Sequence, residues 1–265
     1  MRIVAGRRAF VALLLLGLAA APAFPAGSQP QPQKTDLTVS AAISLKDALD
    51  EIKQAYHGQH PEVTIATNYG ASGTLELQIE QGAPVDVFIS AAPKQMDDLA
   101  AKGLLLEGTR RDLVRNEVVL IVPKDSGAGV NSFQDLLKPG VKKVALGEPM
   151  AVPAGKYAQE VLTKLGVYDK VSTKAVLAKD VRQVLTYVEM GDADAGIVYK
   201  TDALTSQKVR VVAEAPANSH SPVLYPAAVI KDSKNRGAAQ AFENFLGSPK
   251  AQAIFQKYGF TIAAP

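Results

Sequence analysis

The chain has 265 residues, of which 47% are hydrophobic and 21% charged, a composition typical of a folded globular protein that excludes extensive disorder. The formal net charge of +3 is accounted for by Arg2, Arg7 and Arg8, because the first 26 residues contain no acidic residue and the rest of the chain is electrically neutral. This charge balance gives no support to a nucleic-acid-binding or membrane-surface-binding function.

Residues 1–26 are predicted to be a signal peptide. The arginines precede a run of twelve apolar or small residues, FVALLLLGLAAA (Phe10–Ala21), and candidate cleavage positions follow after Ala23 and Ala26. A run of this length is shorter than the ~20 residues that a membrane-spanning helix needs. The paired arginines resemble a twin-arginine export signal, but such pairs are also common in ordinary Sec-type signal peptides, so both export routes stay open.

The sequence contains no cysteine. It therefore has no disulfide framework, no thiol chemistry and no lipid-accepting cysteine after the apolar run. An exported chain of this size without disulfides must depend on its hydrophobic core, which favours the bacterial periplasm as its location. The Pro- and Gln-rich residues 27–35 are predicted to be a disordered leader.

From residue 36 onward, short β-like runs alternate with helical patterns. In the first half, strands are predicted at Leu37–Val39, Val63–Ala66, Val85–Ser90 and Glu117–Pro123. Helices are predicted from Leu45, from Gly73 and Thr74 with Ser72 as the cap, and around Met96. In the second half, strands are predicted at residues 142–147, 195–200, 209–214 and 225–230, with helices within 148–166, 180–191 and 239–260. This alternation predicts an α/β fold with mainly parallel sheets flanked by helices.

The segment NYGASGT (Asn68–Thr74) places small residues between a predicted strand and a predicted helix. Such an arrangement often meets an anion at the helix N-terminus. No lysine follows, as a nucleotide-binding P-loop requires, and no acidic residue lies where a dinucleotide-binding fold needs one. The segment therefore predicts an anion site without nucleotide-binding machinery.

Four predicted helices begin with small or neutral residues, at Ser44, Ser72, Ala154 and Val181. Each has an ordinary explanation as well: Ser44, for example, has the spacing to Asp47 of a capping box. Backbone N–H groups at a helix start have no intrahelical partner, and the helix dipole is positive there. Taken together, the four starts are typical of a site that holds an oxyanion with neutral donors instead of a buried cation.

Eight short segments extend from about residue 36 to about residue 262: AAISL, YGASGTL, GAPVDVFISA, GEPMAVPAGKYA, DVRQVL, AGIVYKTDA, YPAAV and FQKYGF. Together they resemble the periplasmic molybdate-binding proteins of ABC transporters, which are type II solute-binding proteins. The resemblance implies a two-lobed fold with the ligand in the cleft. It implies a first lobe of residues 36–121 and 213–265, a second lobe of residues 122–212, and a hinge at the two crossings.

The same resemblance implies that one molybdate or tungstate ion is the ligand. The matched contacts are the hydroxyl and N–H groups of Ser44 and Ser72, the N–H groups of Ala154 and Val181, and the hydroxyl of Tyr199. By sequence alone, Tyr199 at the end of a strand would be a rim aromatic residue with a solvated hydroxyl. The implied partner is an inner-membrane ABC permease, and the chain is expected to be a monomer without catalytic activity, metal cation or organic cofactor.

Two other classes of function are less consistent with the sequence. A hydrolase is disfavoured because the three histidines, His57, His60 and His220, are not accompanied by a G-x-S-x-G motif or by carboxylates paired for acid–base catalysis. A receptor for phosphate or an amino acid would need charged groups that are not found at the matched positions. Sulfate has the charge and shape of molybdate and stays open as the alternative ligand, as does the choice between molybdate and tungstate.

Overall fold

Two β-sheets flanked by helices form the part of the chain that the computed structural model describes, residues 34–263. The predicted signal peptide, residues 1–26, lies outside the described residues, as does nearly all of the predicted leader. Thr35, which the sequence analysis assigned to that leader, is the first residue of a strand. No helix within residues 34–263 is both long enough and apolar enough to cross a lipid bilayer.

The strands follow one another as β1 (Thr35–Ala42), β2 (Val63–Gly70), β3 (Val87–Ile89), β4 (Arg111–Arg115), β5 (Val118–Pro123), β6 (Val144–Gly147), β7 (Ala175–Ala178), β8 (Ala195–Tyr199), β9 (Val209–Glu214), β10 (Leu224–Val229) and β11 (Thr261–Ile262). The α-helices are α1 (Lys46–His57), α2 (Ser72–Glu80), α3 (Pro93–Ala101), α4 (Pro153–Lys164), α5 (Tyr168–Ser172), α6 (Val181–Glu189), α7 (Lys200–Leu204), α8 (Arg236–Leu246) and α9 (Pro249–Lys257). Two 3-10 segments, Ile43–Leu45 and Phe133–Leu137, complete the list.

The first sheet has six strands in the order β11-β4-β10-β3-β1-β2, and the second has five in the order β7-β6-β8-β5-β9. We call the first sheet with α1–α3, α8 and α9 the first lobe, and the second sheet with α4–α7 the second lobe. The chain crosses from the first lobe to the second at residues 116–117 and returns at residues 215–223. The mixed α/β architecture in two lobes agrees with the predicted fold class.

The prediction of mainly parallel sheets was wrong in its detail. Strand β1 pairs in parallel with β2 and β3, and β6 pairs in parallel with β7 and β8. The pairings made by β4, β5, β9, β10 and β11 are antiparallel, so both sheets are mixed. Strand direction depends on the edge at which the chain enters a sheet after each crossing, and the apolar periodicity of a strand does not encode that.

Strands β5 and β9 lie wholly in the second sheet. The lobe bounds implied by the resemblance would instead divide β5 after Ile121 and β9 after Val212. Those bounds, residues 36–121 with 213–265 against 122–212, stay a prediction about which segments move together. Residues Val118–Val122 of β5 are all buried, as expected for a continuous apolar strand covered on both faces.

Two glycines hold helix α4 close to strand β6. A Cβ atom on Gly155, in the first turn of α4, would lie 2.1 Å from the carbonyl oxygen of Gly147, the last residue of β6. A side chain at either position would push the helix away from the strand, because a Cβ on Gly155 would meet the backbone of Gly147 and a Cβ on Gly147 would meet Val152 and the backbone of Gly155. The glycine pair therefore sets where the N-terminus of α4 points.

Candidate ligand-binding site

A small cavity lies between the two lobes. It is lined by Ala42, Ile43, Ser44, Gly70, Ala71, Ser72, Ala91, Val152, Pro153, Ala154, Val181 and Tyr199. About 10 Å³ is open to the centre of a water-sized sphere, which is about the space that one water molecule needs and far below the size of a site for an organic molecule. All five predicted site residues lie on this wall, with Ser44 and Ser72 from the first lobe and the other three from the second. Their contact with a ligand stays a prediction.

Ser72 presents a hydroxyl whose orientation is set by the backbone. Its Oγ accepts a hydrogen bond from the N–H of Ala91 at 2.9 Å. Since that interaction uses an oxygen lone pair, the hydroxyl hydrogen is available to an acceptor in the cavity. The sequence analysis expected Gly73 and Thr74 to begin the helix with Ser72 as its cap, but α2 begins at Ser72 itself, and Ala71 is the N-cap residue.

Ser44 lies in the 3-10 segment between β1 and α1, with its Oγ 2.9 Å from the hydroxyl of Tyr225 on β10. The expected capping box with Asp47 is not formed. The Asp47 carboxylate instead pairs with Arg182 of the second lobe, Oδ2 to Nη2, at 2.7 Å. Ser44 is therefore held by a side chain from a distant strand and not by its own helix.

The second lobe points two helix N-termini at the cavity. Ala154 is the second residue of α4, after Pro153, and Val181 is the first residue of α6. The N-cap residue of α6 is Asp180, whose side chain accepts a hydrogen bond from the Gln183 N–H at 2.8 Å. The N–H groups of Ala154 and Val181 have no acceptor within their helices, and the positive helix ends favour a negative guest.

Tyr199 is the strongest single indication of a ligand. Its side chain is 1% exposed, and its hydroxyl has no hydrogen-bond partner among the described residues. Burial raises the pKa of Tyr199 well above its usual value of 10, so the phenol stays protonated and can donate to an anion. The ring is held edge-on between Tyr157 and Tyr225, at centroid distances of 6.3 and 6.0 Å. It is thus not the solvated rim residue that the sequence alone favoured.

None of the residues lining the cavity is charged. Arg182, which follows Val181, is already compensated by Asp202 at 2.5 Å as well as by Asp47. Burial raises the pKa of the Asp202 carboxyl to about 6, although the neighbouring Arg182 acts in the opposite direction. The cavity can therefore attract an anion only through neutral donors and helix dipoles, which avoids the cost of desolvating a counter-charge.

His57 and His60 contact residues outside the cavity wall. The Nδ1 atom of His57 lies 3.2 Å from the carbonyl oxygen of Val63, and His60 stacks on Tyr56, both away from the cavity. Within residues 34–263, no group of three or more His, Cys, Asp or Glu side chains is arranged to hold a metal ion.

Two residues that shape the site, Tyr225 and Asn116, were not predicted from the sequence. Tyr225 contacts Ser44 across 181 positions of the chain, and Asn116 Nδ2 lies 3.2 Å from the Tyr225 hydroxyl. No local pattern marks either residue, since a tyrosine at the start of a strand and an asparagine after one are ordinary. Only their pairing in the folded chain indicates a role.

The chain is similar to known proteins along most of its length. The family described as bacterial extracellular solute-binding protein matches residues 37–261. A Bacillus subtilis protein provisionally named an ABC transporter substrate-binding lipoprotein is 50% identical over 229 residues, 86% of this chain and 87% of that protein. The molybdate-binding protein ModA of Escherichia coli is 41% identical over 232 residues, 85% of this chain and 89% of that protein. The periplasmic molybdate-binding protein of Azotobacter vinelandii superposes with a TM-score of 0.78 at 26% identity, covering 86% of this chain and 100% of the other.

Proposed function

This chain belongs to the family of bacterial extracellular solute-binding proteins, and we propose that it binds molybdate, and also tungstate, and delivers the ion to an ABC permease in the inner membrane. The observation that carries the proposal is the lining of the cavity, which offers hydrogen-bond donors from both lobes and no charge. Tyr199, a buried phenol with no hydrogen-bond partner among residues 34–263, completes the set of donors. The 41% identity to the molybdate-binding protein of Escherichia coli supports molybdate as the ion.

The donors suit a small, fully ionised oxyanion. The Ser72 hydroxyl already accepts a hydrogen bond from Ala91, so its remaining hydrogen is directed to a guest. Monohydrogen phosphate carries a proton and would need an acceptor, and no carboxylate lines the cavity. A dianion with four oxygen atoms and no proton, such as molybdate, tungstate or sulfate, meets only donors.

Binding is coupled to closure of the lobes in this proposal. A ligand that touches Ser44 and Ser72 on one lobe and Tyr199 on the other favours the arrangement in which the lobes are in contact. Direct contacts support the same arrangement, among them the ion pair between Asp47 and Arg182 at 2.7 Å. The closed form would be the one that the permease recognises.

We further propose that the protein is exported to the periplasm by residues 1–26, by the Sec or the twin-arginine route, and acts there as a monomer. Membership of a family of extracellular proteins supports export. We also propose that it has no enzymatic activity. The absence of a nucleophile–base pair at the cavity supports this, since the serines there contact Tyr225 and Ala91 and no histidine.

Sulfate is the second candidate ligand. It has the same charge and tetrahedral shape as molybdate, and it could accept hydrogen bonds from the same donors. The ions differ in the length of their bonds to oxygen, so the spacing of the donors decides between them.

Isothermal titration of the mature, ligand-stripped protein with molybdate, tungstate and sulfate tests the proposal. We expect tight one-to-one binding of molybdate and tungstate and a much weaker response to sulfate. Binding of sulfate alone would keep the anion site and move the function to sulfur uptake. No binding of any of the three ions would refute the proposed function.

A further inference from the structure

Three side chains form a hydrogen-bonded row that ends at the cavity. The Nδ2 atom of Asn116 lies 3.2 Å from the Tyr225 hydroxyl, and that hydroxyl lies 2.9 Å from Ser44 Oγ. Ser44 Oγ is in turn part of the cavity wall. Tyr225 is 0% exposed, so its hydroxyl is shielded from bulk solvent.

The backbone fixes which way the Asn116 amide faces. Its Oδ1 atom accepts a hydrogen bond from the N–H of Glu117 at 2.9 Å. The two hydrogens of Nδ2 are therefore directed to Tyr225 and to Thr201 Oγ1, which lies at 2.8 Å. An amide nitrogen can only donate, so the Tyr225 oxygen accepts from Asn116.

The direction of the next hydrogen bond follows. If Ser44 donated to Tyr225, the buried hydrogen of Tyr225 would have no acceptor among the described residues that contact it. Such an unpaired donor costs the full desolvation of the group. Burial, the largest effect, raises the pKa of Tyr225 above its usual value, so the phenol keeps its hydrogen. Tyr225 therefore donates to Ser44, and the hydrogen of Ser44 is left for the cavity.

We propose that Tyr225, oriented by Asn116, is a positioning residue that turns the Ser44 hydroxyl into a donor toward the bound oxyanion. This inference rests on the proposed function and adds to it the residues that set the polarity of the site. Ser72 needs no such positioning residue, because the N–H of Ala91 can only donate to its Oγ atom. In a row of three donors, each hydrogen bond also polarises the next, which strengthens the last one to the anion.

The test is a double-mutant cycle of Tyr225→Phe and Ser44→Ala, read by calorimetric titration with molybdate. Tyr225→Phe removes one hydroxyl from a buried ring and should weaken binding by about 2- to 13-fold, the usual range for one hydrogen bond. In the Ser44→Ala background the same change should have an effect of less than about twofold, because the group through which Tyr225 acts is gone. Tyr56→Phe is the matched control, a buried tyrosine of α1 that does not line the cavity.

A loss of equal size in both backgrounds would mean that Tyr225 acts through general packing, and would overturn the inference. So would unchanged affinity of Tyr225→Phe in the presence of Ser44. Should Tyr225→Phe not fold, as judged by its thermal transition, Asn116→Asp replaces it in the cycle. The carboxylate of Asn116→Asp accepts a hydrogen bond from Tyr225, so Ser44 would then donate to Tyr225 and not to the anion. The loss of affinity caused by Asn116→Asp should therefore be larger with Ser44 present than with Ala at that position.

The outcomes separate this inference from the proposed function. Wild-type binding of molybdate with a cycle that shows no coupling refutes the role of Tyr225 and leaves the proposed function intact. If the wild type binds only sulfate, the cycle is run with sulfate, since the row of donors does not depend on the central atom. If it binds none of the three ions, both the proposed function and the role of Tyr225 fail.

Discussion

The backbone N–H of Gly73, in the first turn of α2, donates a hydrogen bond of 3.0 Å to the carbonyl oxygen of Ala151, just before α4. Gly73 belongs to the first lobe and Ala151 to the second, so this bond joins the lobes beside the cavity. A Cβ atom on Gly73 would lie 2.7 Å from that oxygen and 3.0 Å from the Ala151 Cα. The glycine is therefore required by the approach of the other lobe.

Gly73→Ala should weaken oxyanion binding by about 5- to 150-fold, because overpacking at rigid backbone typically costs about 1–3 kcal/mol and here opposes closure. The thermal transition of the ligand-free protein should change little, since an open cleft has no clash. Gly58→Ala is the control: Gly58 has a φ of −62° at the end of α1, and a Cβ there would have ordinary contacts at 3.7 Å. Calorimetric titration gives the affinities, and equal affinity of Gly73→Ala and wild type would contradict the contact.

Ser72→Ala should also weaken binding by about 5- to 150-fold. It removes a donor to the anion and leaves the N–H of Ala91 without its acceptor, a loss of about 1–3 kcal/mol. The control is Ser172→Ala, an exposed serine whose Oγ bonds to the Asp169 carbonyl oxygen at 2.9 Å on α5. If both variants bound molybdate as tightly as the wild type, Ser72 would not be a ligand contact.

Tyr199→Phe should separate affinity from stability. The hydroxyl has no partner among the described residues, so its removal should leave the melting temperature of the ligand-free protein unchanged or higher. Affinity should fall by about 10- to 150-fold, the loss expected for a hydrogen bond to a charged group. Tyr187→Phe on α6, outside the cavity wall, is the control. A variant that melts earlier but binds normally would show that the phenol serves the core and not the ligand.

The raised pKa of Asp202 predicts that the stability of the folded protein depends on pH. Burial raises its pKa in the folded protein to about 6 from 3.8, with Arg182, Asp47 and Asp180 as charged neighbours. The folded state therefore holds this proton more tightly than the unfolded state. As the pH rises from about 4 to about 6, the contribution of Asp202 to the unfolding free energy falls. Above that range the carboxyl is charged in the folded protein, and the full cost of burying this charge lowers the stability.

Asp202→Asn removes this titration. When the pH is lowered from about 7.5 to about 4.5, the unfolding free energy of the wild type should rise by about 1–3 kcal/mol relative to that of the variant. Urea unfolding at the two pH values measures this, with the exposed Asp232→Asn as the control. A wild-type-to-variant difference that stays the same at both pH values would rule out the raised pKa.

Local periodicity in the sequence predicted most of the secondary structure. The predicted run Glu117–Pro123 is β5 at Val118–Pro123, and the helix predicted within residues 148–166 is α4 at Pro153–Lys164. Strand β4 (Arg111–Arg115) was missed, because only Leu113 and Val114 of its five residues are buried and both ends are charged. It is a strand because β10 and β11 pair with it, and such long-range pairing leaves no local pattern.

The sequence by itself determined which positions could offer neutral donors, because helix starts at Ser44, Ser72, Ala154 and Val181 depend on local residue types. It also carried the resemblance through which Tyr199 was added to the set. Only the tertiary structure decided that these donors converge on one cavity. The direction of each hydroxyl was likewise decided by groups far along the chain, such as Tyr225 for Ser44, 181 positions away. Hydrogen bonds act over a few ångströms, so their geometry is settled only when folding brings the two lobes together.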